Sequence, residues 1–371
     1  MANKKLNDLY TEIIKIIEGG LKQEPSKVIL YAKKMAEKLE SEGNHQLAKG
    51  IRNVLENRGA TTLSMEQLIT TAPVDTETRM SIVDVFNSTE DTFQVVLTET
   101  IEKKVADFIK IIEHKDKIKS QGIPLQSTLL LYGPPGVGKT TIAKYISWKT
   151  KLPLVTARLD TLISSLLGNT SKNIRKVFEY ADSKPCILFL DEFDAIAKAR
   201  DDQHEMGELK RVINSLLQNI DLFAQNNVLI AATNHPELLD KAIWRRFNTI
   251  VEVSQPGHDA IEELLALYGR NFGKDVFSDK KKQEKIVQLL AKKTPSDIKA
   301  IITNAITQAI IQGRSKITAE DIMIENFQFE KHGRFSNEDL VKYLNDIGIP
   351  KLQIAELLKV SIRQIRNNLK D

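Results

Sequence analysis

The spacing of apolar residues changes along the chain, and these changes divide it into five parts. Residues 1–58 carry apolar side chains at helical spacing, interrupted at Gly19-Gly20 and again at Gly43-Asn44, which predicts three packed helices. Residues 59–90 have only a short periodic stretch among Thr, Asp and Glu residues, which is typical of a linker. The front of the chain is therefore predicted to be a small helical bundle that acts as an adaptor or partner-binding domain.

Residues 91–256 contain short apolar runs separated by stretches long enough for helices. The runs are 129–132, 154–157, 186–190, 228–232 and 250–253. Continuous apolar strands that alternate with helices are typical of a parallel sheet covered on both faces. We therefore predict an α/β core built on a five-stranded parallel sheet.

Helical spacing returns in residues 257–328, which predicts a helical lid. Residues 329–371 contain three short apolar sets, and the stretch 352–366 is similar to bacterial helix-turn-helix domains. The last helix would expose residue types that contact phosphates and base edges. These residues are Arg363, Gln364, Arg366, Asn367 and Lys370. The sequence leaves two interpretations open for them, DNA contact or a solvated face reused for protein docking.

Composition narrows the class of protein. The 371 residues are 42% hydrophobic and 27% charged, which excludes a disordered or fibrous chain. The net charge of +4 leaves the partner open. The single cysteine, Cys186, excludes intramolecular disulfides and thiolate metal clusters and favours a reducing compartment. No apolar run reaches the roughly 18 residues of a membrane span, so we expect a soluble cytoplasmic protein without a membrane partner.

A phosphate-binding motif follows the first apolar run. It reads Gly133, Pro134, Pro135, Gly136, Val137, Gly138, Lys139 and Thr140, matching G-x-x-x-x-G-K-[ST] between a predicted strand and a predicted helix. In such loops the backbone N–H groups and the helix N-terminus hold phosphates, and the lysine bridges the β and γ phosphates. We predict that the loop and Thr141 bind ATP and that the Thr140 hydroxyl binds Mg²⁺.

Two adjacent carboxylates end the apolar run that contains Cys186. Asp191 and Glu192 are expected at the carboxyl edge of the sheet, beside the phosphate loop. Adjacent side chains there can take different roles. We predict that Asp191 binds Mg²⁺ and that Glu192 accepts a proton from the attacking water.

With these motifs in order, residues 95–326 resemble the AAA ATPases, in the narrower group that lacks an arginine at the opening of the lid helix. The resemblance implies that Asn234, after a further strand, polarises the attacking water or contacts the γ-phosphate. It also implies that Arg245 or Arg246 reaches the nucleotide of a neighbouring subunit. The two arginines are adjacent where relatives separate them, so the choice between them stays open. A ring, expected to be a hexamer, follows from this reading.

The same resemblance indicates a pore loop at residues 164–175. Leu166 stands at the position where the family usually has an aromatic residue, and Leu167 stands at the next aliphatic position. Both leucines are expected to grip an extended polypeptide. The alternative is that they pack under the following helix.

Three functions are compatible with these motifs. The leading hypothesis is an ATP-driven motor that remodels or unfolds a protein client. The turn at residues 43–48 resembles stand-alone bacterial AAA proteins often encoded beside a subtilisin-like protease, which implies a partner protease or a role in stress or phage defence. The alternatives are a DNA-bound ATPase acting in transposition, replication initiation or transcription control, and an ATP-gated scaffold.

Overall fold

A computed structural model describes residues 12–18, 25–41, 44–59, 73, 81–87, 92–159, 162, 167–195, 206–273, 276 and 279–369. At the front, residues 12–18 are helical and are followed by α1 (Pro25–Ser41) and α2 (His45–Gly59). Buried Ala36, Leu39 and Ala48 lie on α1 and α2, which pack against each other. Lys38 Nζ donates to Glu12 Oε1 at 2.7 Å, so the helix at residues 12–18 is tied to α1. The three predicted helices are confirmed in this described part.

The strands form one sheet with the order β1-β3-β4-β5-β2-β6. Their bounds are β1 (Asp84–Phe86), β2 (Ser127–Tyr132), β3 (Leu154–Arg158), β4 (Ile187–Asp191), β5 (Val228–Thr233) and β6 (Thr249–Glu252). Strands β2 to β6 pair in parallel, which confirms the predicted five-stranded parallel sheet. Strand β2 lies between β5 and β6, so the connection from β2 to β3 and the connection from β5 to β6 leave the neighbouring strands β2 and β5 in opposite directions. A crevice forms at the carboxyl ends of strands arranged in this way.

Strand β1 adds an antiparallel edge to this sheet. It pairs with β3 so that Val85 lies opposite Val155, and Val83 beside it is buried. This strand falls in the segment that the sequence pattern assigned to a linker. Three paired residues are too few to show a period-two pattern, so its apolar positions gave no strand signal.

Helices cover both faces of the sheet. Their bounds are α3 (Glu99–Glu113), α4 (Lys115–Ser120), α5 (Lys139–Thr150), α6 (Leu167–Asp182), α7 (Met206–Phe223) and α8 (Lys241–Trp244). Residues of α3 and α5, including Phe108 and Ile142, form one core with the sheet. Residues of α6 and α7, including Phe178 and Leu216, form another. A short 3-10 turn, Pro236–Leu238, precedes α8. The predicted α/β architecture is therefore confirmed.

A helical unit follows the sheet. Its helices are α9 (His258–Gly269), α10 (Lys280–Leu290), α11 (Pro295–Ile311), α12 (Ala319–Glu330), α13 (Asn337–Asp346), α14 (Lys351–Leu358) and α15 (Ile362–Asn368). All of them contribute to one hydrophobic core. Phe327 of α12 stacks on Tyr343 of α13 with ring centroids 4.6 Å apart, and Gln353 Nε2 donates to Glu320 Oε1 at 2.8 Å. The predicted boundary near residue 328 thus lies within a continuous core.

The last two helices meet at a tight turn. Lys359 has a φ of 53°, a left-handed conformation that glycine adopts more easily than lysine. Its backbone N–H donates to the carbonyls of Ala355 and Glu356, and Ser361 caps α15 together with Gln364. The predicted pair of short C-terminal helices is confirmed. No helix within the described ranges is long and apolar enough to cross a membrane.

Candidate active site

A cavity of about 530 Å³ lies where the carboxyl edge of the sheet meets the helical unit. Four groups of residues line it, and one of them comes from the strand ends, with Asp191, Glu192, Asn234 and Val253. The loop between β2 and α5 forms its floor, residues 94–98 form one wall, and α9 with the start of α11 forms the side opposite the sheet. Of the phosphate loop, residues 135–141 face the cavity. The predicted nucleotide-binding segment therefore opens into a space enclosed by two parts of the fold.

Lys139 is the first residue of α5 and is only 7% exposed. Its ammonium donates to the carbonyls of Gly133 at 2.7 Å and Pro134 at 2.8 Å, and to Asn234 Oδ1 at 2.7 Å. Burial lowers the pKa of this ammonium, although Asp191 and Asp194 act in the opposite direction. The loop thus holds a buried cation at the start of a helix, where an anionic ligand is favoured.

Two positions of the loop require glycine because neighbouring atoms lie too close for a Cβ atom. A Cβ on Gly133 would lie 2.1 Å from the carbonyl oxygen of Val253, and a Cβ on Gly136 would lie 2.7 Å from Thr294 Oγ1. Both residues also have positive φ, at 146° and 79°. Gly133 therefore lets the loop pass beside the end of β6. Gly136 lets the loop contact the start of α11, where the Ser296 N–H donates to its carbonyl at 3.2 Å.

An oxygen pair suited to a hard cation lies beside the loop. Thr140 Oγ1 donates to Asp191 Oδ2 at 3.0 Å, joining the first turn of α5 to the last residue of β4. Both residues line the cavity. Mg²⁺ prefers oxygen ligands and is usually held by one or two protein side chains together with substrate phosphates. The hydroxyl and carboxylate therefore fit the predicted Mg²⁺ site.

Glu192 has an unusual backbone conformation directly after β4. Its φ is 55°, a region that costs energy for a residue with a side chain and is found at functional sites. Its N–H donates to Asp191 Oδ1 at 2.9 Å, while the next N–H, of Phe193, bonds the carbonyl of Ala232 on β5. The turn thus separates the two adjacent acids, and both line the cavity.

Sequence reasoning gave no role to Asp194, which the structure places at the junction of β4 and β5. Its side chain is buried and its Oδ1 accepts from Thr233 Oγ1 at 3.2 Å and from the Asn234 N–H at 3.3 Å. Asn234 in turn contacts Lys139. Asp194 therefore positions the residue predicted to act on the attacking water. The feature of the sequence that could have indicated this role is a third acidic residue two positions after Glu192.

The two adjacent arginines differ in their surroundings. Arg246 Nε and Nη2 donate to the two carboxylate oxygens of Asp221, both at 2.9 Å, and its Nη1 donates to the carbonyl of Ala242. Arg245 is exposed, and among the described residues it has no ion-pair partner. Neither arginine lines the cavity of its own chain.

The remaining predicted site residues belong to the proposed pore segment and to α15, and the described ones on α15 do not line the cavity. Leu166 is outside the described residues, and Leu167 is the first residue of α6. Arg363, Arg366 and Asn367 are exposed on α15, whereas the side-chain oxygen of Gln364 accepts from the backbone and hydroxyl of Ser361. Lys370 lies outside the described residues.

This chain is similar in sequence to known proteins. The profile of the family described as "ATPase family associated with various cellular activities (AAA)" matches residues 129–255. An uncharacterized AAA family ATPase of Sinorhizobium fredii is 34% identical over 290 residues, which are 78% of this chain and 86% of that protein.

Two further relatives are longer than the region they share. Proteasome-activating nucleotidase 1 of Haloferax volcanii is 31% identical over 67% of this chain and 63% of its own length. The ATP-dependent zinc metalloprotease FtsH of Thermus thermophilus is 30% identical over 60% of this chain but only 36% of its own length. The chain therefore belongs to the AAA family and is an ATPase that requires Mg²⁺.

Proposed function

We propose that this ATPase hydrolyses ATP in the cavity at the carboxyl edge of its sheet and uses the energy to remodel a protein client. The proposed ATP hydrolysis rests on one observation, which is that five residues of the predicted site line the same cavity. They are Lys139, Thr140, Asp191, Glu192 and Asn234. They come from the ends of two strands, β4 and β5, and from the start of one helix, α5. Such an arrangement positions a phosphate chain and stabilises charge on it, which is the main requirement of phosphoryl transfer.

Each residue has a proposed part in the reaction. Lys139 and the backbone N–H groups of residues 136–138 hold the β and γ phosphates. Thr140 and Asp191 hold Mg²⁺, which neutralises charge on the same phosphates when bound. Glu192 accepts a proton from the attacking water, and Asn234 orients that water.

Glu192→Gln tests the proposed base. The variant keeps the size and hydrogen-bonding capacity of the side chain but is a far weaker base, so we expect ATP binding to be retained. We expect turnover to fall by about 10²–10⁴-fold. Phosphate release and nucleotide binding would be measured on the same preparation. Turnover equal to that of the unaltered protein would remove Glu192 from the mechanism.

We further propose that the active unit is a ring, with six subunits as the leading expectation, in which Arg245 acts on the nucleotide of the neighbouring chain. The difference between the two arginines supports this choice. Arg246 is held by Asp221 within its own chain, whereas Arg245 is exposed. A free guanidinium is suited to charge that develops on phosphoryl oxygens.

Paired variants separate the two arginines. Arg245→Ala is expected to lower turnover strongly in assembled protein without lowering the free energy of unfolding. Arg246→Ala is expected to destabilise the chain because it leaves Asp221 without its partner. Subunits carrying Arg245→Ala mixed with Glu192→Gln subunits should regain turnover at mixed interfaces. Normal hydrolysis by assembled Arg245→Ala protein would overturn the assignment.

A protein client is supported by the relatives. Their names describe a proteasome-activating nucleotidase and an ATP-dependent protease, two kinds of protein whose names connect ATP with proteolysis. In this proposal residues 1–58 select the client and Leu166 and Leu167 contact it in the pore. A partner protease would take up the remodelled chain.

DNA binding is the second candidate, because α15 exposes Arg363, Arg366 and Asn367 together. Trapping partners on the Glu192→Gln protein with ATP separates the two candidates. Co-purification of a defined protein supports remodelling, while nuclease-sensitive DNA without a protein supports the DNA-bound motor.

The change Leu166→Ala should stop client processing and leave ATP turnover intact. If ATP turnover and client processing are both unaffected, an ATP-gated scaffold becomes the better reading.

A further inference from the structure

A histidine and two glutamates meet on the surface of the helical unit, where α9 packs against α10. His258 and Glu262 lie on α9, and Glu284 lies on α10. One ligand atom of each residue, a ring nitrogen or a carboxylate oxygen, lies within 4.8 Å of the other two. Residues four apart on a helix share one face, so the two residues of α9 present their side chains together to α10. Histidine and glutamate are both residue types that bind divalent metal ions.

Polar contacts orient two of these side chains. His258 Nε2 and Glu284 Oε2 are 3.0 Å apart, and Glu284 Oε1 accepts from Gln288 Nε2 at 2.9 Å. On the other side of the imidazole ring, Nδ1 lies 3.6 Å from Asp259 Oδ1. A histidine that binds a metal through one ring nitrogen usually directs the other nitrogen towards a carboxylate or carbonyl, which fixes the orientation of the ring. The ring of His258 has this arrangement, with Nε2 towards Glu284 and Nδ1 towards Asp259.

The cluster also favours positive charge. Glu262 is half-buried, and within the described ranges its carboxylate has no hydrogen bond and no ion pair with a lysine or arginine. The hydrogen bond with Glu284, together with the charges of Glu284, Glu262 and Asp259, raises the pKa of His258, because nearby negative charge stabilises a cation. When the imidazole is neutral, as metal binding requires, the two glutamates balance the charge of a divalent cation.

This cluster is separate from the ATP cavity. None of its three residues lines the cavity, whereas Ala260, Leu264 and Leu267 of α9 do. His258 precedes Ala260 by two positions, Glu262 precedes Leu264 by two, and two positions are more than half a helical turn. The cluster and the cavity therefore lie on opposite faces of α9. A ligand of the cluster would act on the packing of α9 against α10 and not on the phosphates of the nucleotide.

We propose that His258, Glu262 and Glu284 bind one transition-metal dication, with Zn²⁺ as the best-suited ion, and that this ion joins α9 to α10. Zn²⁺ binds nitrogen and oxygen ligands at about 2.0–2.2 Å and can combine three protein ligands with one water. Any two of its ligand atoms then lie at most roughly 4.2 Å apart, so modest rotations of these surface side chains complete the set. The imidazole ligand disfavours Mg²⁺, which prefers oxygen ligands. The proposal is independent of the proposed function.

Metal titrations with the full chain test the proposal. Zn²⁺ would be titrated by calorimetry into protein without an affinity tag, in mildly alkaline buffer that keeps imidazole neutral and with excess Mg²⁺ to fill sites that prefer oxygen. We expect one Zn²⁺ per chain. His258→Ala and Glu284→Gln should each weaken its binding by about tenfold or more. Zn²⁺ should also raise the midpoint of thermal unfolding of the unaltered protein more than that of either variant, because it binds the folded state.

His235→Ala is the matched control. The His235 side chain is 47% exposed, like that of His258, but among the described residues its ring has a single carboxylate partner, Glu237, at 3.0 Å. Its removal should leave Zn²⁺ binding unchanged. Glu262→His should tighten binding, because it places a second imidazole four residues after the first, a spacing that zinc sites use.

Three results would overturn the proposal. If the unaltered protein shows no saturable Zn²⁺ binding, the cluster does not close around a metal. Equal weakening by His258→Ala and His235→Ala would show that Zn²⁺ binds surface histidines in general. Unchanged binding by Glu284→Gln, with no tightening by Glu262→His, would show that His258 acts without the two glutamates. Circular dichroism of each variant would verify that it is folded.

Discussion

The phosphate site and the C-terminal helices are built from different kinds of interaction. At the site, each important contact joins segments far apart in the chain, as between Lys139 and Asn234 or between Thr140 and Asp191. In the C-terminal unit, helix starts are organised within four consecutive residues. Thr294, Thr318, Ser336 and Ser361 each form a capping box with the residue three positions later.

This difference determines which substitutions should matter for which property. A contact between distant segments exists only when the whole sheet is assembled, so its loss should affect chemistry and global stability together. A capping box stabilises one helix end locally. The largest effect of a substitution is therefore expected at the phosphate site and the smallest at a single helix cap.

Lys139→Ala should abolish detectable ATP binding. The change removes a buried cation that the structure holds against three acceptors, and losing one partner of such a charged contact costs about 2–5 kcal/mol, or more than about 30-fold in affinity. Titration with a fluorescent ATP analogue would measure it. Binding within a few-fold of the unaltered protein would contradict the role of the loop.

Asp194→Ala should lower both stability and turnover. The change leaves the Thr233 hydroxyl and the Asn234 N–H without their acceptor in a buried position, which costs about 1–3 kcal/mol. Turnover should fall because Asn234 is no longer held. Thermal unfolding and phosphate release would report the two effects. Asp194→Asn keeps one acceptor oxygen and should be milder, and a loss of stability without a loss of turnover would separate the two properties.

The Arg314 pair with Asp321 should make the helical unit sensitive to acid. Burial alone would raise the pKa of Asp321, but hydrogen bonds from Arg314 at 2.7 and 2.8 Å and from Thr318 outweigh it, so the pKa is lowered. Because the pKa of this carboxyl is lower in the folded chain than in the unfolded chain, the unfolded chain binds the proton more tightly. The stability that the ionised carboxylate gives to the folded state is therefore lost as the pH falls below about 4.

Asp321→Asn is the comparison that isolates this pair. The variant should be less stable by about 1–3 kcal/mol at neutral pH, because the charged contact is lost. The difference between the two proteins should shrink as the pH is lowered from 6 to 3, and thermal unfolding across that range would show it. A constant difference would assign the acid sensitivity to other carboxyls.

Ser361→Ala should have the smallest effect. It removes the cap of α15, where Ser361 and Gln364 bond each other's backbone N–H groups, at a cost of about 1 kcal/mol. Hydrogen exchange of α15 should accelerate while ATP turnover stays unchanged, and Ser361→Asp should restore protection. A fall in turnover would show that the C-terminal helices and the phosphate site are coupled more closely than the contrast implies.

Much of the fold and of the site could be predicted from local signals. The five parallel strands were recognisable because each is a buried apolar run, and the helix starts at Ser336 and Ser361 because capping residues act on neighbouring N–H groups. The phosphate loop was recognisable because its residues keep a fixed spacing between one strand end and one helix start. Asp191 and Glu192 were recognisable because they directly follow a buried apolar run. Strand β1 escaped notice because three residues carry no periodic signal.

Other features depend on which segments meet. The two arginines at 245 and 246 are equivalent in the sequence, and Asp221, some 25 positions earlier, distinguishes them. Asp194 was overlooked for the same reason, since its side chain acts through the residues at the end of the next strand, β5. The boundary drawn before residue 329 marked a change in pattern, yet the core continues across it.

By itself the sequence determined the family, the nucleotide chemistry and the positions of most helices and strands, because motifs and caps act over a few residues. Tertiary structure alone decided which acid positions Asn234, which arginine is left exposed, and which residues of the helical unit line the cavity. The physical reason is that a side chain's charge and hydrogen-bond partners are set by neighbours in space. Those neighbours are brought together only when the sheet order places β4, β5 and β2 side by side.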